Sequence, residues 1–139
     1  MKHLFNLIWT VSVLGCTCAV AAPIADLSGG QTGRIEYESM NPPNRWEYAR
    51  LNMQNTKPAV VWGDLLMPKN ISGKVPALVL SHGSSGISPA AYDVWARDMN
   101  AAGVAIFIID SFKPRGVDQT ATDQSKVTFP AQISDALKA

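Results

Sequence analysis

A chain of 139 residues with a formal net charge of +1 is long enough for one domain with a modest hydrophobic core. Its near balance of charge gives no electrostatic signature for binding nucleic acid or an anionic membrane. The hydrophobic fraction of 47% is ordinary for a globular protein and excludes a largely disordered chain.

The first 21 residues carry the pattern of a secretory signal peptide. Lys2 provides the positive charge, residues 4–14 the apolar stretch, and residues 19–21 the A-x-A cleavage site. The apolar stretch is shorter than the ~20 residues that span a bilayer, so a stable membrane span is the weaker interpretation. We expect an exported protein, periplasmic or extracellular, that begins at Ala22. In a further alternative, Cys16 closes a lipobox and becomes a lipidated first residue.

Both cysteines of the chain, Cys16 and Cys18, lie inside this leader. Cleavage after Ala21 leaves a mature domain with neither a disulfide nor a thiolate metal site. No cluster of carboxylates and histidines accompanies the cysteines, so the sequence predicts no metal site and no cofactor.

The residues that follow the leader predict an N-terminal segment with one edge strand over residues 22–58. Its first part, residues 23–33, is rich in small residues and serves as a flexible approach to the domain. Residues 34–38 alternate polar and apolar side chains, as in a half-exposed edge strand. The two prolines within residues 41–44 end that strand.

Two further strands are predicted before the first long helix. Residues 59–68 form one of them, in which Gly63 is a candidate bulge. The polar stretch 70–74 is short enough for a hairpin into the next strand. That strand is the apolar run that begins at Ala77, which we expect to be buried.

A helical period follows. Ser88 is the predicted N-cap, Pro89 the first helical residue and Gly103 the C-terminal stop. Between them, four residues at spacings of four, four and three fall on one face, which we expect to face the core: Ala91, Trp95, Met99 and Ala102.

The unbroken apolar run 104–109 predicts a parallel strand that is covered on both faces. Strand, helix and strand in this order form a βαβ unit with a right-handed crossover. A polar loop over residues 110–124 and a helix over residues 129–137, with Pro130 near its start, complete the pattern. The predicted fold class is therefore α/β, with antiparallel edge strands that lead into a parallel βαβ unit.

The sequence SHGSSG at residues 81–86 joins the third strand to the helix. In α/β-hydrolases one N–H of the oxyanion hole comes from such a turn, where glycine lets the backbone approach the substrate. Ser84 and Ser85 are the candidate backbone donors, Ser84 first because it directly follows His-Gly. The alternative is that both only shape a tight turn. His82 precedes any nucleophile in chain order, so we interpret it as a structural histidine.

Residues 62–139 resemble the N-terminal half of a dienelactone hydrolase-like protein of the α/β-hydrolase superfamily. The matching segments, in order, are GDLLMP at 63–68, PALVLSHGSSG at 76–86, WAR at 95–97 and DSFKPRG at 110–116. The resemblance implies a partial α/β-hydrolase domain over residues 59–139 and hydrolysis of a carboxylic ester or lactone through an acyl-enzyme. In that family the next strand leads to a Gly-x-Ser/Cys-x-Gly elbow, followed by an acidic residue and a histidine.

The chain contains no Gly-x-Ser-x-Gly sequence, and His82 is the only histidine outside the extreme N-terminus. We therefore expect a truncated domain, the front part of a hydrolase, without catalytic nucleophile, acid or base. The small-molecule substrate and the choice of a Ser or Cys nucleophile stay open. The alternative function is a small secreted binding module that holds an anion at the loop 83–86.

Two residues after the last predicted strand are candidates on the substrate side. Arg115 either binds a substrate carboxylate or pairs with a loop acid, and the pairing is favoured. Asp110 either faces a ligand or accepts N–H groups of its own loop, and the loop role is favoured. A sheet cut after its fourth strand would leave residues 104–109 as an apolar edge, so we expect self-association.

Overall fold

The structure is a computed structural model that describes residues 22–139. The predicted signal peptide, the lipobox alternative and both cysteines lie outside the described residues. Four strands form one mixed sheet in the order β1-β2-β4-β3. The strands are β1 Gly33–Asn41, β2 Lys57–Leu66, β3 Ala77–Leu80 and β4 Ala105–Asp110.

Helical segments lie on both faces of this sheet. The α-helices are α1 Arg45–Ala49, α2 Arg97–Ala101 and α3 Phe129–Lys138. A π-helical turn, Ala91–Ala96, runs directly into α2, and a short 3₁₀ turn covers Lys113–Arg115. The α/β class predicted from the sequence is confirmed.

The antiparallel pair β1 and β2 keeps an unbroken register in which Ile35 lies opposite Gly63. The predicted bulge at Gly63 is therefore wrong. A Cβ at this position would lie 2.6 Å from a ring carbon of Phe107 and 2.9 Å from the Ile108 carbonyl oxygen. Glycine is required there because a neighbouring strand approaches closely.

The predicted hairpin between the second and third strands is also wrong, because β4 lies between β2 and β3. It pairs antiparallel with β2, where Leu65 faces Phe107, and parallel with β3, where Leu78 faces Ile106. Strand β4, which was expected to be an open edge, is thus one of the two inner strands. The edges are β1, as predicted, and β3, which was expected to be buried and instead exposes 41% of Val79.

All six residues of β4 are buried, and their side chains alternate between two cores. Ile106 and Ile108 pack against Ala91 and Ala96 of the π-turn. On the other face, Phe107 and Ile109 belong to a core with residues from β1 and β2 and with Ala136 of α3: Ile35, Tyr37, Val61 and Leu65. The unbroken apolar run therefore marks a strand covered on both faces, as predicted.

The helix after β3 differs from its prediction in its first turn. It begins at Ala91 without a side-chain N-cap, so the predicted Ser88 cap is wrong. In a π-turn the fifth following residue, not the fourth, comes back over the first. Ala96 consequently joins Ala91 in the core, while Trp95, predicted to be buried, is 51% exposed. Ala102, also predicted to face the core, is exposed, and Pro89 precedes the first helical residue.

The predicted C-terminal stop at Gly103 and the start of the last helix are confirmed. Gly103 has φ of +79°, and the Val104 N–H donates to the Met99 carbonyl at 2.9 Å, which completes a C-terminal Schellman motif. Helix α3 begins after Thr128, whose hydroxyl accepts the Ala131 N–H at 3.3 Å. Its N-terminus agrees with the sequence-based prediction, and it extends one residue further at its C-terminus.

Candidate functional site

A tight turn follows β3 and carries the two candidate amides. The Gly86 N–H donates to the Gly83 carbonyl at 3.0 Å, so Ser84 and Ser85 occupy the two central positions of a four-residue turn. Gly86 has φ of +81°, and a Cβ there would lie 3.1 Å from the Asp118 carbonyl oxygen. Both the dihedral angle and the close approach require glycine at this corner.

The loop that follows β4 is hydrogen-bonded to this turn. The Thr120 N–H donates to the Ser84 carbonyl at 2.8 Å. Thr120 is itself 2% exposed, so this anchor is buried. The position of the turn therefore depends on residues that lie more than thirty positions later in the chain.

His82 forms a second link between the two loops. The Ser111 N–H donates to Nε2 of His82 at 3.1 Å, so Nε2 is the acceptor nitrogen. Nδ1 then carries the hydrogen and donates it to the Gly83 carbonyl at 2.8 Å. Phe112 packs edge-on against the imidazole with ring centroids 4.4 Å apart. Both ring nitrogens are occupied, which agrees with a structural histidine and leaves neither free to act as a base.

The N–H groups of Ser84 and Ser85 donate to no acceptor among residues 22–139. Both serines line an open cleft of about 410 Å³. Its apolar lining residues come from β3, β4, the π-turn and the segment between β3 and the π-turn: Leu80, Ile87, Ala91, Trp95 and Ile108. Two adjacent amides at such a cleft can stabilise a negatively charged oxygen.

A second groove of about 310 Å³ adjoins the cleft and shares Ile87, Ser88 and Ile108 with it. In this groove the Tyr92 hydroxyl donates to Oδ2 of Asp64 at 2.7 Å, and Arg34 Nε lies 3.2 Å from Oδ1. Burial, followed by the bond to Asp64, raises the pKa of Tyr92 to about 12. Tyr92 is therefore a donor at neutral pH.

The sequence-based analysis missed this Arg34–Asp64–Tyr92 group. Arg34 and Asp64 are directly opposite each other in the β1–β2 register, but they lie thirty residues apart in the chain. A cross-strand charge pair becomes visible only when the register is known.

Asp110 lies at the end of β4 and lines the second groove. Its Oδ1 accepts the N–H groups of Phe112 at 3.0 Å and Lys113 at 2.9 Å. These bonds begin the short 3₁₀ turn. Asp110 thus has the loop role that the sequence favoured.

Arg115 lies away from the cleft and uses all its N–H donors inside the protein. Two of them form a bidentate pair with Asp135 at 2.8 and 2.9 Å. The others reach Asn41 Oδ1 at 2.6 Å and the carbonyls of Ser111 and Met40 at 2.8 and 3.3 Å. The pairing is structural, as favoured, but the acid belongs to helix α3 and not to a loop.

Residues 22–139 contain no group of three His, Cys, Asp or Glu side chains placed to hold a metal ion. No helix within the same range is long and apolar enough to cross a membrane.

No protein-family model matches the chain, and no curated protein matches it at a significant level of similarity.

Proposed function

We propose that this chain is the oxyanion-binding front part of an exported α/β-hydrolase that cleaves a carboxylic ester or lactone through an acyl-enzyme. One observation carries the proposal. The neighbouring N–H groups of Ser84 and Ser85 lack an acceptor within residues 22–139, and both serines line a cleft at the carboxyl end of a parallel strand. Donors of this kind, aimed at the oxygen of a tetrahedral intermediate, contribute roughly 10² to 10³ in kcat each.

The chemistry follows from this geometry. The carbonyl oxygen of the ester would accept hydrogen bonds from the two amides, which strengthen as a nucleophile adds and the oxygen becomes negative. His82 does not take the nucleophile's proton, because both its ring nitrogens already have partners. In this proposal the nucleophile, its acid and its base come from sequence beyond residue 139.

The sheet supports a further strand beside β3. The π-turn covers the face of Ile106 and Ile108, whereas α3 covers the opposite face through Ala136. Right-handed crossovers on opposite faces advance in opposite directions across a sheet. A parallel strand after α3 would therefore lie along the free edge of β3. Its carboxyl end would then lie beside Ser84, where a nucleophile is needed.

A secreted binding module is the second candidate function. It is favoured by the same turn, because every bond that shapes it comes from the described residues and the two amides need no further group to hold an anion. Such a module would bind a small phosphate or carboxylate ligand without chemistry.

The amides are tested by titrating the ¹⁵N-labelled protein with methylphosphonate, a tetrahedral anion, while NMR follows the Ser84 and Ser85 resonances. Both are expected to shift along one saturation curve. Ser84→Pro removes one N–H at a turn position that tolerates proline, and we expect binding to weaken at least about tenfold. The matched control Ser84→Ala keeps the N–H and should bind as the wild type does. Unshifted serine amides in the wild type would contradict both functions.

The coding sequence after Ala139 separates the two functions. For a hydrolase we expect an in-frame Gly-x-Ser/Cys-x-Gly elbow, and the extended protein should hydrolyse p-nitrophenyl acetate. Ser84→Pro should then lower kcat about a hundredfold while Ser84→Ala has little effect. Equal loss of activity in both variants would rule out a backbone oxyanion role.

A further inference from the structure

The π-turn moves Trp95 off the helix face that packs against the sheet. With α-helical spacing, the fourth residue after Ala91 faces the sheet, which is why the sequence predicts a buried Trp95. The extra residue in the turn gives that place to Ala96, which is 3% exposed. Trp95 is left half exposed on the wall of the same cleft that Ser84 and Ser85 line. Single π-turns often occur at functional sites.

The ring of Trp95 also differs from the other described tryptophans. Arg45 lies over Trp46 at 4.8 Å from the ring centroid, and Arg34 lies over Trp62 at 5.3 Å. Among residues 22–139 no cation or aromatic ring stacks on Trp95. Trp95 is also 51% exposed, so a ligand in the cleft can reach it.

The cleft combines two kinds of surface. Ser84 and Ser85, whose N–H groups have no acceptor among residues 22–139, line it together with apolar side chains and Trp95. A volume of about 410 Å³ is within the range of small-molecule sites. The arrangement fits a ligand with a polar, oxygen-bearing head and a flat apolar body.

We propose that Trp95 is a specificity-determining residue that stacks on a planar aromatic group of the ester whose carbonyl oxygen meets Ser84 and Ser85. The inference rests on the proposed function and adds the substrate class, an aryl-bearing carboxylic ester. Offset stacking and burial against the indole favour a flat ring over an aliphatic chain of similar size.

The test uses three phosphonates on the ¹⁵N-labelled protein: phenyl, hexyl and methyl. Phenylphosphonate should shift the Ser84 and Ser85 amides and the Trp95 indole N–H along one curve. It should bind at least about fivefold more tightly than methylphosphonate. Trp95→Ala should abolish this preference, so that phenylphosphonate binds no more tightly than methylphosphonate. Trp46→Ala, which removes an exposed tryptophan elsewhere, should retain the preference.

The outcomes separate this proposal from the function on which it rests. Serine shifts with equal affinity for phenyl- and methylphosphonate would overturn the role of Trp95 and leave the oxyanion site intact. Hexyl binding as tight as phenyl binding would overturn aromatic stacking. A shift of the Trp95 indole resonance without a shift of the Ser84 and Ser85 amides would show that one ligand does not contact both, and would overturn the proposal. If Trp95→Ala fails to fold, Trp95→Phe should retain most of the phenyl preference and Trp95→Leu should lose it.

Discussion

The two parallel strands β3 and β4 are neighbours in the sheet, yet their surroundings differ sharply. Strand β4 is buried and paired on both sides, and after it Arg115 and Asp110 form their hydrogen bonds with other groups of the protein. Strand β3 is paired on one side only, and the turn after it leaves two amides without an acceptor. A buried polar group without a hydrogen-bond partner destabilises the fold, whereas a polar group at an open cleft can hydrogen-bond to water or to a ligand.

The largest predicted effect concerns the buried loop. Asp135 is fully buried and Arg115 is 10% exposed, so Asp135→Ala leaves a buried guanidinium without its partner. We expect the free energy of unfolding to fall by about 3–5 kcal/mol in urea titrations. The control Asp98→Ala breaks the exposed pair with Arg97 and should leave the unfolding midpoint unchanged. Similar midpoints for the two variants would contradict a structural role for the Arg115–Asp135 pair.

The next effect concerns the turn after β3. Gly86→Ala combines a left-handed backbone with a close contact to the Asp118 carbonyl, and should cost about 2–3 kcal/mol of unfolding free energy. Gly73 has φ of +85° but open space around it, so Gly73→Ala should cost only about 1–2 kcal/mol. Thermal unfolding measures both. An equal loss would mean that the approach of Asp118 does not constrain the turn.

The free edge of β3 predicts self-association of the chain. Leu78 and Val79 are 37% and 41% exposed on a strand with one open side. Val79→Lys should raise the protein concentration at which light scattering detects association by at least about tenfold. Leu137→Lys, at an exposed position on α3, should not. A wild-type monomer at micromolar concentration would contradict the prediction.

The smallest predicted effect is a loss of folding stability at alkaline pH. Burial and the bond to Asp64 raise the pKa of Tyr92 from 10.0 to about 12, so the folded protein keeps a proton that the unfolded chain releases. This contribution is complete below pH 10 and is lost as the pH rises from 10 to 12. Urea midpoints at pH 9 and pH 11 should differ less in Tyr92→Phe than in the wild type. Burial, followed by the charge of Asp135, also raises the pKa of Tyr37, so that phenol contributes in the same direction in both proteins.

Sequence features that depend on neighbouring residues predicted most of the strands and helices. Features that depend on residues far apart in the chain could not be predicted. The apolar run of β4, the glycine after α2 and the proline near the start of α3 are each decided within a few residues. The order of the strands depends on how segments cross the sheet, so the hairpin and the identity of the edge strand were wrong. Gly63 illustrates the same limit, because its reason lies in Phe107 on another strand.

The site divides in the same way. The turn with Ser84 and Ser85 and the loop role of Asp110 were visible in the sequence, since both depend on adjacent residues. Trp95 was misplaced because one extra residue in a helical turn changes which side chain meets the sheet. The Arg115–Asp135 pair joins a loop to a helix that lies twenty residues on, and no periodicity indicates it.

The bond from the Thr120 amide to the Ser84 carbonyl gives the turn a native probe of its own opening. That hydrogen is shielded only while the turn and the loop after β4 remain docked, so its exchange with deuterium measures how often they separate. A ligand that binds only the docked form would slow the exchange in proportion to its saturation of the site. The exchange rate of the Thr120 amide thus reports how firmly the Ser84 and Ser85 amides are held in position.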